Sequence, residues 1–326
     1  MRGPPITLVT GGCGFIGFAL CRGLTAAGHR VVAYDDLSRG RADNLPASAR
    51  LIQGDIRDAH RLAAAVSEAR PDALIHLAAI HYLPDCAARP QETLQVNVDG
   101  TRLVLEACRA GGVRRVVFAS TAAVYAPVDV PCSEEQTPLE PIEIYGESKL
   151  KGERLIEAFN RETGITATTV RISNAIGRRE TNPHLVPHIF ESLRASNQVP
   201  LGSLEARRDY IDTRDVADAI LAVLAVSEGY QVFNVGTGVA HSVADIVAAL
   251  GRMLGRPIEI RRDASRLRPV ERPLLVADTG KIRRATGWAA RVTLEESLWD
   301  LVDAYGLRAD GAEAPESAHP TRTPPA

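Results

Sequence analysis

Residues 6–17 constrain the fold more than any other stretch. Ile6 to Thr10 reads as a short apolar strand and Phe15 to Ala27 as an amphipathic helix ended near Gly28. Between them the chain runs Gly11-Gly12-Cys13-Gly14, with Gly17 one turn into the helix. Residues without Cβ atoms let a backbone turn sharply and pass close to a neighbouring group. A strand feeding a helix through such a turn is the opening of a βαβ unit. The alternation continues with strands at Arg30 to Tyr34, Arg50 to Gln53, Ala73 to Leu77, Val116 to Ala119 and Thr166 to Ile172. Helices are predicted at Ala59 to Ala69, Val98 to Ala110 and Ile144 to Thr163. The fold class is therefore α/β, a doubly wound parallel sheet over residues 1–173. Pro183, Pro187 and Pro200 loosen the rhythm after Ile172. Helices at Asp212 to Val226 and Ser242 to Leu254, with strands at Tyr230 to Val235 and Ile258 to Arg261, describe a smaller, partly interleaved lobe over 174–308. Residues 309–326 are rich in Ala, Pro, Glu, Ser and Thr and are predicted to be disordered.

The glycines satisfy G-x-G-x-x-G at Gly12, Gly14 and Gly17, in the strand–turn–helix context that a dinucleotide pyrophosphate requires at a helix N-terminus. Asp35 ends the second strand, with Asp36 beside it. A carboxylate there accepts ribose hydroxyls and repels a 2′-phosphate, which favours NAD over NADP. Arg39 and Arg41 are close enough to offer a phosphate a counter-charge. Asp55 and Ile56 follow the third strand, where adenine would lie. Leu77, Ala78 and Ala79 end the fourth with small residues.

Tyr145 and Lys149 form the next informative pair. Lysine occurs only at 149, 151 and 281, so with seven tyrosines a chance Tyr-x-x-x-Lys match arises only about 6% of the time. Four residues apart on a helix, the two side chains share a face. An ammonium beside a phenol favours phenolate, but a shift to neutral pH needs roughly 4 kcal/mol, more than one exposed pair supplies. A second positive charge in a desolvated site is required, and the nicotinamide ring of NAD⁺ is a candidate.

In combination these motifs resemble the extended short-chain dehydrogenase/reductase family, in its nucleotide-sugar epimerase and dehydratase branch. The resemblance rests on the glycine loop, Asp35, Asp55-Ile56, His76-Leu77-Ala78-Ala79, Asn97-Val98-Asp99-Gly100-Thr101, Ser120-Thr121-Ala122-Ala123-Val124-Tyr125 and Tyr145-Gly146-Glu147-Ser148-Lys149. Arg171-Ile172-Ser173-Asn174, Arg207-Arg208-Asp209-Tyr210-Ile211 and Asn234-Val235-Gly236-Thr237-Gly238 extend it. It implies a catalytic set of Thr121, Tyr145 and Lys149. It implies NAD contacts at Gly11, Gly14, Phe15, Ile16, Gly17, Asp35, Asp36, Ser38, Arg39, Gly40, Asp55, Ile56, Leu77, Ala78, Ala79 and Asn97, besides Tyr145 and Lys149. Substrate contacts are expected at His81, Thr121, Asn174, Arg179, His184, Leu185, Arg208 and Arg268. Arg178 or Arg179 could pair with a sugar carboxylate.

The dehydratase branch usually carries an acid just after the catalytic Ser/Thr, and here Ala122 and Ala123 stand there. This favours a UDP-sugar 4-epimerase, acting on UDP-glucose/UDP-galactose or UDP-glucuronate. A 4,6-dehydratase or 4-keto reductase on a GDP- or dTDP-sugar is the alternative. The stretch Arg266-Leu267-Arg268-Pro269-Val270-Glu271-Arg272-Pro273 resembles GDP-mannose dehydratase and its reductase partners, and bears on the nucleotide. The family also implies a homodimer through the helices at 98–110 and 144–163.

Composition excludes other classes. A net charge of −2 gives no reason for a nucleic-acid or anionic-membrane partner. No apolar run reaches a membrane span. Five scattered cysteines without C-x-x-C spacing fit a reduced cytoplasmic interior, and predict neither disulfides nor a metal site.

Overall fold

The computed structural model describes residues 3–226, 229–266 and 272–308. Its strands are β1 (Ile6–Thr10), β2 (Arg30–Asp35), β3 (Arg50–Gln53), β4 (Ala73–His76), β5 (Arg115–Thr121), β6 (Thr166–Ile172), β7 (Asn174–Ile176), β8 (Gln198–Leu201), β9 (Arg207–Asp212), β10 (Tyr230–Val235), β11 (Ala240–Ser242), β12 (Glu259–Arg262) and β13 (Leu274–Leu275). The helices are α1 (Phe15–Ala26), α2 (Ala59–Ala69), α3 (Leu83–Ala88), α4 (Pro90–Leu94), α5 (Gly100–Ala110), α6 (Ile144–Thr163), α7 (Leu185–Ala195), α8 (Thr213–Val223), α9 (Val243–Met253), α10 (Gly280–Thr286) and α11 (Leu294–Ala304).

Seven parallel strands form the main sheet in the order β10-β6-β5-β4-β1-β2-β3. The α/β reading from the sequence holds. Strand periodicity sends alternate residues to opposite faces. Leu8, Leu74, Val116 and Phe118 pack with Leu62, Val104 and Ile156 under α2, α5 and α6. Val9, Ile75 and Val117 pack with Leu20, Leu24 and Ile220 under α1 and α8. Strand order reverses between β1 and β4, which opens a crevice at their C-terminal ends.

A third core, including Val186, Phe190, Ile246, Leu250, Leu298 and Leu301, joins α7, α9 and α11 into the second lobe. Sequence periodicity missed α7 because Pro187 reads as a breaker. It falls in the helix's first turn, where its absent N–H breaks no helical bond. The run predicted as one helix at 98–110 begins earlier. α4 passes through a π-helical turn at Gln95–Asp99 into α5.

Candidate active site

The crevice widens into a cleft of about 1470 Å³ between the sheet edge and the second lobe. Sites for small ligands more often occupy roughly 300–1,000 Å³, so the space suits a dinucleotide and a second large ligand together.

One wall is the glycine loop. Gly11 has φ +71°, and a Cβ there would stand 2.7 Å from the Ala78 backbone N. A Cβ on Gly17 would meet the Gly11 and Gly12 carbonyl oxygens at 2.5 Å. The loops after β1 and β4 are thus packed backbone to backbone, with the start of α1 opening between them. Gly14, Phe15, Ile16, Leu77, Ala78 and Ala79 line the same space.

Asp35 is almost buried, yet its carboxylate accepts from Cys13 N and Leu37 N, each at 2.9 Å. Burial raises its pKa and the two amides oppose the rise. One bond per oxygen leaves each a lone pair for a ribose hydroxyl. Asp36 accepts from Ser38 N at 2.9 Å and Ser38 Oγ at 2.6 Å. Arg39 is paired with Asp85 at 2.5 Å and Arg41 with Asp43 at 3.1 Å, so both candidate 2′-phosphate partners already hold acids. Ser38, Gly40, Asp55 and Ile56 also line the cleft. These residues fit NAD: a close-packed glycine turn, a ribose-facing carboxylate and engaged arginines.

Asn97 requires a correction. It is buried in the π-helical turn and does not line the cleft. Its Oδ1 accepts from Ile80 N at 2.8 Å, and its Nδ2 donates to Ile80 O at 2.8 Å and Ser148 Oγ at 2.9 Å. Its carboxamide pins the loop after β4 to α6.

The cleft floor holds Thr121, the last residue of β5, with Tyr145 and Lys149 on successive turns of α6. Thr121 Oγ1 accepts from Ala123 N at 3.2 Å and is hydrogen-bonded to the Tyr145 phenol. Lys149 Nζ donates to Ala119 O at 2.8 Å and lies 4.9 Å from the Phe118 ring centre. Burial pulls the Lys149 pKa down to about 7, against opposing pulls from Cys86 and Glu153. The Tyr145 phenol is held above its ordinary pKa in the ligand-free chain, which lacks the second positive charge that the sequence reading requires. Burial pushes its pKa up, Cys86 adds to the rise, and only the Thr121 bond lowers it. The Lys149 ammonium is turned toward the Ala119 carbonyl, so the ligand-free chain holds Tyr145 neutral.

Beneath the floor, Glu153 accepts from Arg171 Nε at 3.0 Å, Arg171 Nη2 at 2.7 Å and Ser120 Oγ at 2.5 Å. Arg171 also reaches Tyr125 OH at 3.0 Å, which donates to Asn234 Oδ1 at 2.7 Å. This buried network fixes the β5 end that carries Thr121.

His81 from the loop after β4, with Asn174, His184, Leu185 and Arg208 from the second lobe, all line the cleft. Arg208 Nη1 donates to Arg272 O at 2.7 Å and to Arg207 O at 2.9 Å. Arg268 lies outside the described residues. Arg179 does not line the cleft; it sits 3.6 Å from Asp43 and over the Phe18 ring. Its backbone is left-handed, with φ +72°. Arg178 is likewise bound, to Asp300 at 3.0 Å and Asp303 at 3.2 Å. Neither arginine is placed for a sugar carboxylate.

The cleft also contains residues that sequence reasoning did not single out: Tyr82, Glu180, Asn182 and Arg272. Arg272 is buried and donates to Tyr125 O at 2.5 Å and Ala123 O at 3.1 Å. Its signal was the arginine-rich stretch 266–273, in which the resemblance marked Arg268 instead. Burial raises the Glu180 pKa and lowers that of His81 to about 4.

A sequence profile of the NAD dependent epimerase/dehydratase family matches residues 7–236. The chain belongs to this family. Among its relatives, the UDP-glucose 4-epimerase of Mycolicibacterium smegmatis is 34% identical over 311 residues, covering 92% of this chain and 98% of the relative. The UDP-glucose 4-epimerase of Thermotoga maritima, crystallised with UDP-glucose, superposes with a TM-score of 0.86 at 29% identity, covering 92% of this chain and 98% of that one. The dTDP-glucose 4,6-dehydratase DesIV of Streptomyces venezuelae superposes with a TM-score of 0.85 at 29% identity, covering 92% and 96%. Fold similarity alone does not separate the two chemistries.

Proposed function

We propose that this chain is an NAD-dependent UDP-sugar 4-epimerase acting through a transient 4-keto sugar. The observation that carries the reading is the floor of the cleft. Thr121, Tyr145 and Lys149 face a space shared with the glycine loop, and Ala122 and Ala123 stand where a dehydratase would need an acid. When bound, NAD⁺ supplies the acceptor and then the donor of the C4 hydride. The glycine loop and Asp35 would hold it.

Tyr145, as phenolate, takes the 4-hydroxyl proton and later returns it, while Thr121 shares that proton along its bond to the phenol. The phenol is held neutral by burial, so reaching the base form requires positive charge on the cleft floor. Lys149, turning from Ala119 O toward the ligands, supplies part of it. Alanine at 122 and 123 offers no second acid to expel the C6 hydroxyl, so the sugar is re-reduced. Arg208, which lines the cleft, is the residue we assign to the diphosphate.

The sugar we favour is a neutral hexose, as in UDP-glucose/UDP-galactose. Arg178 and Arg179 are committed to other carboxylates, and Glu180 adds a carboxyl to the cleft wall. UDP-glucuronate, with its extra negative charge, ranks second. A homodimer through α5 and α6, where Leu103 and Leu155 are only partly buried, and a cytoplasmic location complete the proposal. Among the described residues no helix is long and apolar enough to cross a membrane.

The test is purified protein given each UDP-sugar, with products separated by chromatography. Interconversion of C4 epimers is expected; a 4-keto-6-deoxy product, or no turnover of any UDP-sugar, overturns the proposal. Tyr145→Phe should lower turnover by at least about a hundredfold while NAD stays bound; an active variant removes the phenolate from the mechanism.

A further inference from the structure

The loop after β4 and the loop before α7 bring together a side-chain cluster that the 4-epimerase chemistry does not use. Among the described residues, His81, Glu180 and His184 form the one group of three or more His, Cys, Asp or Glu side chains placed to share a metal ion, with ligand atoms all within 4.8 Å of one another. All three are half-buried and line the cleft. Glu180 has no ion-pair partner among the described residues. The His81 and His184 rings stack at 5.6 Å between centres, 27° apart in plane, and the His184 and Tyr82 rings meet edge to face at 5.2 Å.

His81 is held as a ligand would be. One of its ring nitrogens is hydrogen-bonded to the Ala79 backbone, leaving Nε2 turned to the cluster, 3.0 Å from Asn182 Nδ2. A backbone partner on one nitrogen sets the tautomer that presents a lone pair on the other.

A second observation points to a missing partner. Asn182 is 3% exposed, its backbone N–H donates to Glu180 Oε1 at 2.8 Å, and its side-chain Oδ1 is buried with no hydrogen-bond partner. A buried acceptor left unsatisfied costs about 1–3 kcal/mol. Two imidazoles and a carboxylate bring their ligand atoms together on one part of the cleft wall, a donor set that a cation can share.

We propose that His81, Glu180 and His184 bind a divalent ion of the zinc class, with Asn182 supporting the site and one coordination position open to the cleft. Two imidazole nitrogens and a carboxylate oxygen are a donor set of open zinc sites, with ligands at about 2.0–2.2 Å and hence about 3.3 Å apart in a tetrahedron. From the separations present, the side chains close inward by about 1 Å as the Asn182 carboxamide swings off His81. The open position then takes water, or a hydroxyl or carboxylate oxygen of a molecule in the cleft.

The test uses the full-length, NAD-loaded chain, stripped with chelator and given no sugar, so its failure leaves the 4-epimerase reading untouched. Zn²⁺ is titrated against a chromophoric chelator, and Co²⁺ is followed by visible absorption. The expected result is one equivalent per chain, with the intense Co²⁺ bands of a four- or five-coordinate site. His184→Ala and Glu180→Gln should each weaken binding at least about tenfold, and Asn182→Ala by about tenfold. Absence of stoichiometric binding, a pale octahedral Co²⁺ spectrum, or undiminished affinity in His184→Ala and Glu180→Gln overturns the proposal. The Co²⁺ spectrum of the unaltered chain decides the matter should a variant fail to fold.

Discussion

Lys149 sits in the core at 3% exposure, with its pKa drawn from 10.5 to about 7. Between those values the unfolded chain holds a proton that the folded, ligand-free chain has lost. The unfolded state therefore binds more protons, and stability rises with pH across this window. The cost to the fold is about 4–5 kcal/mol near neutral pH and falls by about 3 kcal/mol between about pH 6.5 and pH 9.5. Lys149→Met keeps the aliphatic stem and removes the charge. It also removes the bond to Ala119 O, worth about 1–3 kcal/mol. The NAD-free variant should therefore be more stable than the parent by about 1–3 kcal/mol near pH 6.5, with the gain vanishing or reversing near pH 9.5. Urea unfolding of both chains at the two pH values measures this directly. A difference that does not change with pH, or a variant less stable at both, would refute the claim that burial holds this ammonium at a cost.

Other expectations follow from the same geometry. Gly17→Ala places a methyl 2.5 Å from two loop carbonyls, so NAD content after purification should fall roughly tenfold or more; normal content would mean the loop yields freely. Glu153→Gln weakens the doubly bonded partner of buried Arg171 and should cost about 3–5 kcal/mol in urea unfolding; a loss under about 1 kcal/mol would show the network to be dispensable. Arg179→Ala removes only an exposed pair and should leave KM for a UDP-sugar within about twofold, whereas a tenfold rise would put this guanidinium back at the substrate.

What could be read from the sequence was whatever local spacing encodes. The glycine turn, Asp35 and the Tyr145–Lys149 pair each sit within one supersecondary unit, where strand and helix periods fix the direction of side chains. Asn97's bonds were not legible because they depend on a π-helical turn and on Ile80 and Ser148, which no short window contains. Arg179's place beside Asp43, away from the cleft lining, depends on a contact far away in sequence. Glu180, Asn182 and Arg272 reach the cleft only through long-range packing; Arg272, for example, meets Tyr125 across the whole sheet-to-lobe boundary. Spacing alone left open how the ammonium acts on the tyrosine. Spacing put the ammonium on the right face, but burial and the Ala119 carbonyl determine what it does there.

The return of β10 to the edge of the main sheet has a consequence for engineering. The chain leaves the sheet after β6, builds β7 to β9 with α7 and α8, and comes back to pair Phe233 with Val170 before building the rest of the lobe. The lobe is thus spliced into the sheet rather than appended to it. A fragment ending at Ser173 would strip Phe233 and Val235 from the core and bare the β6 backbone edge, a template for aggregation. Transplanting substrate preference from a relative therefore takes two crossover points, one on each side of β10, and a single-junction chimera would break the sheet before it changed the sugar.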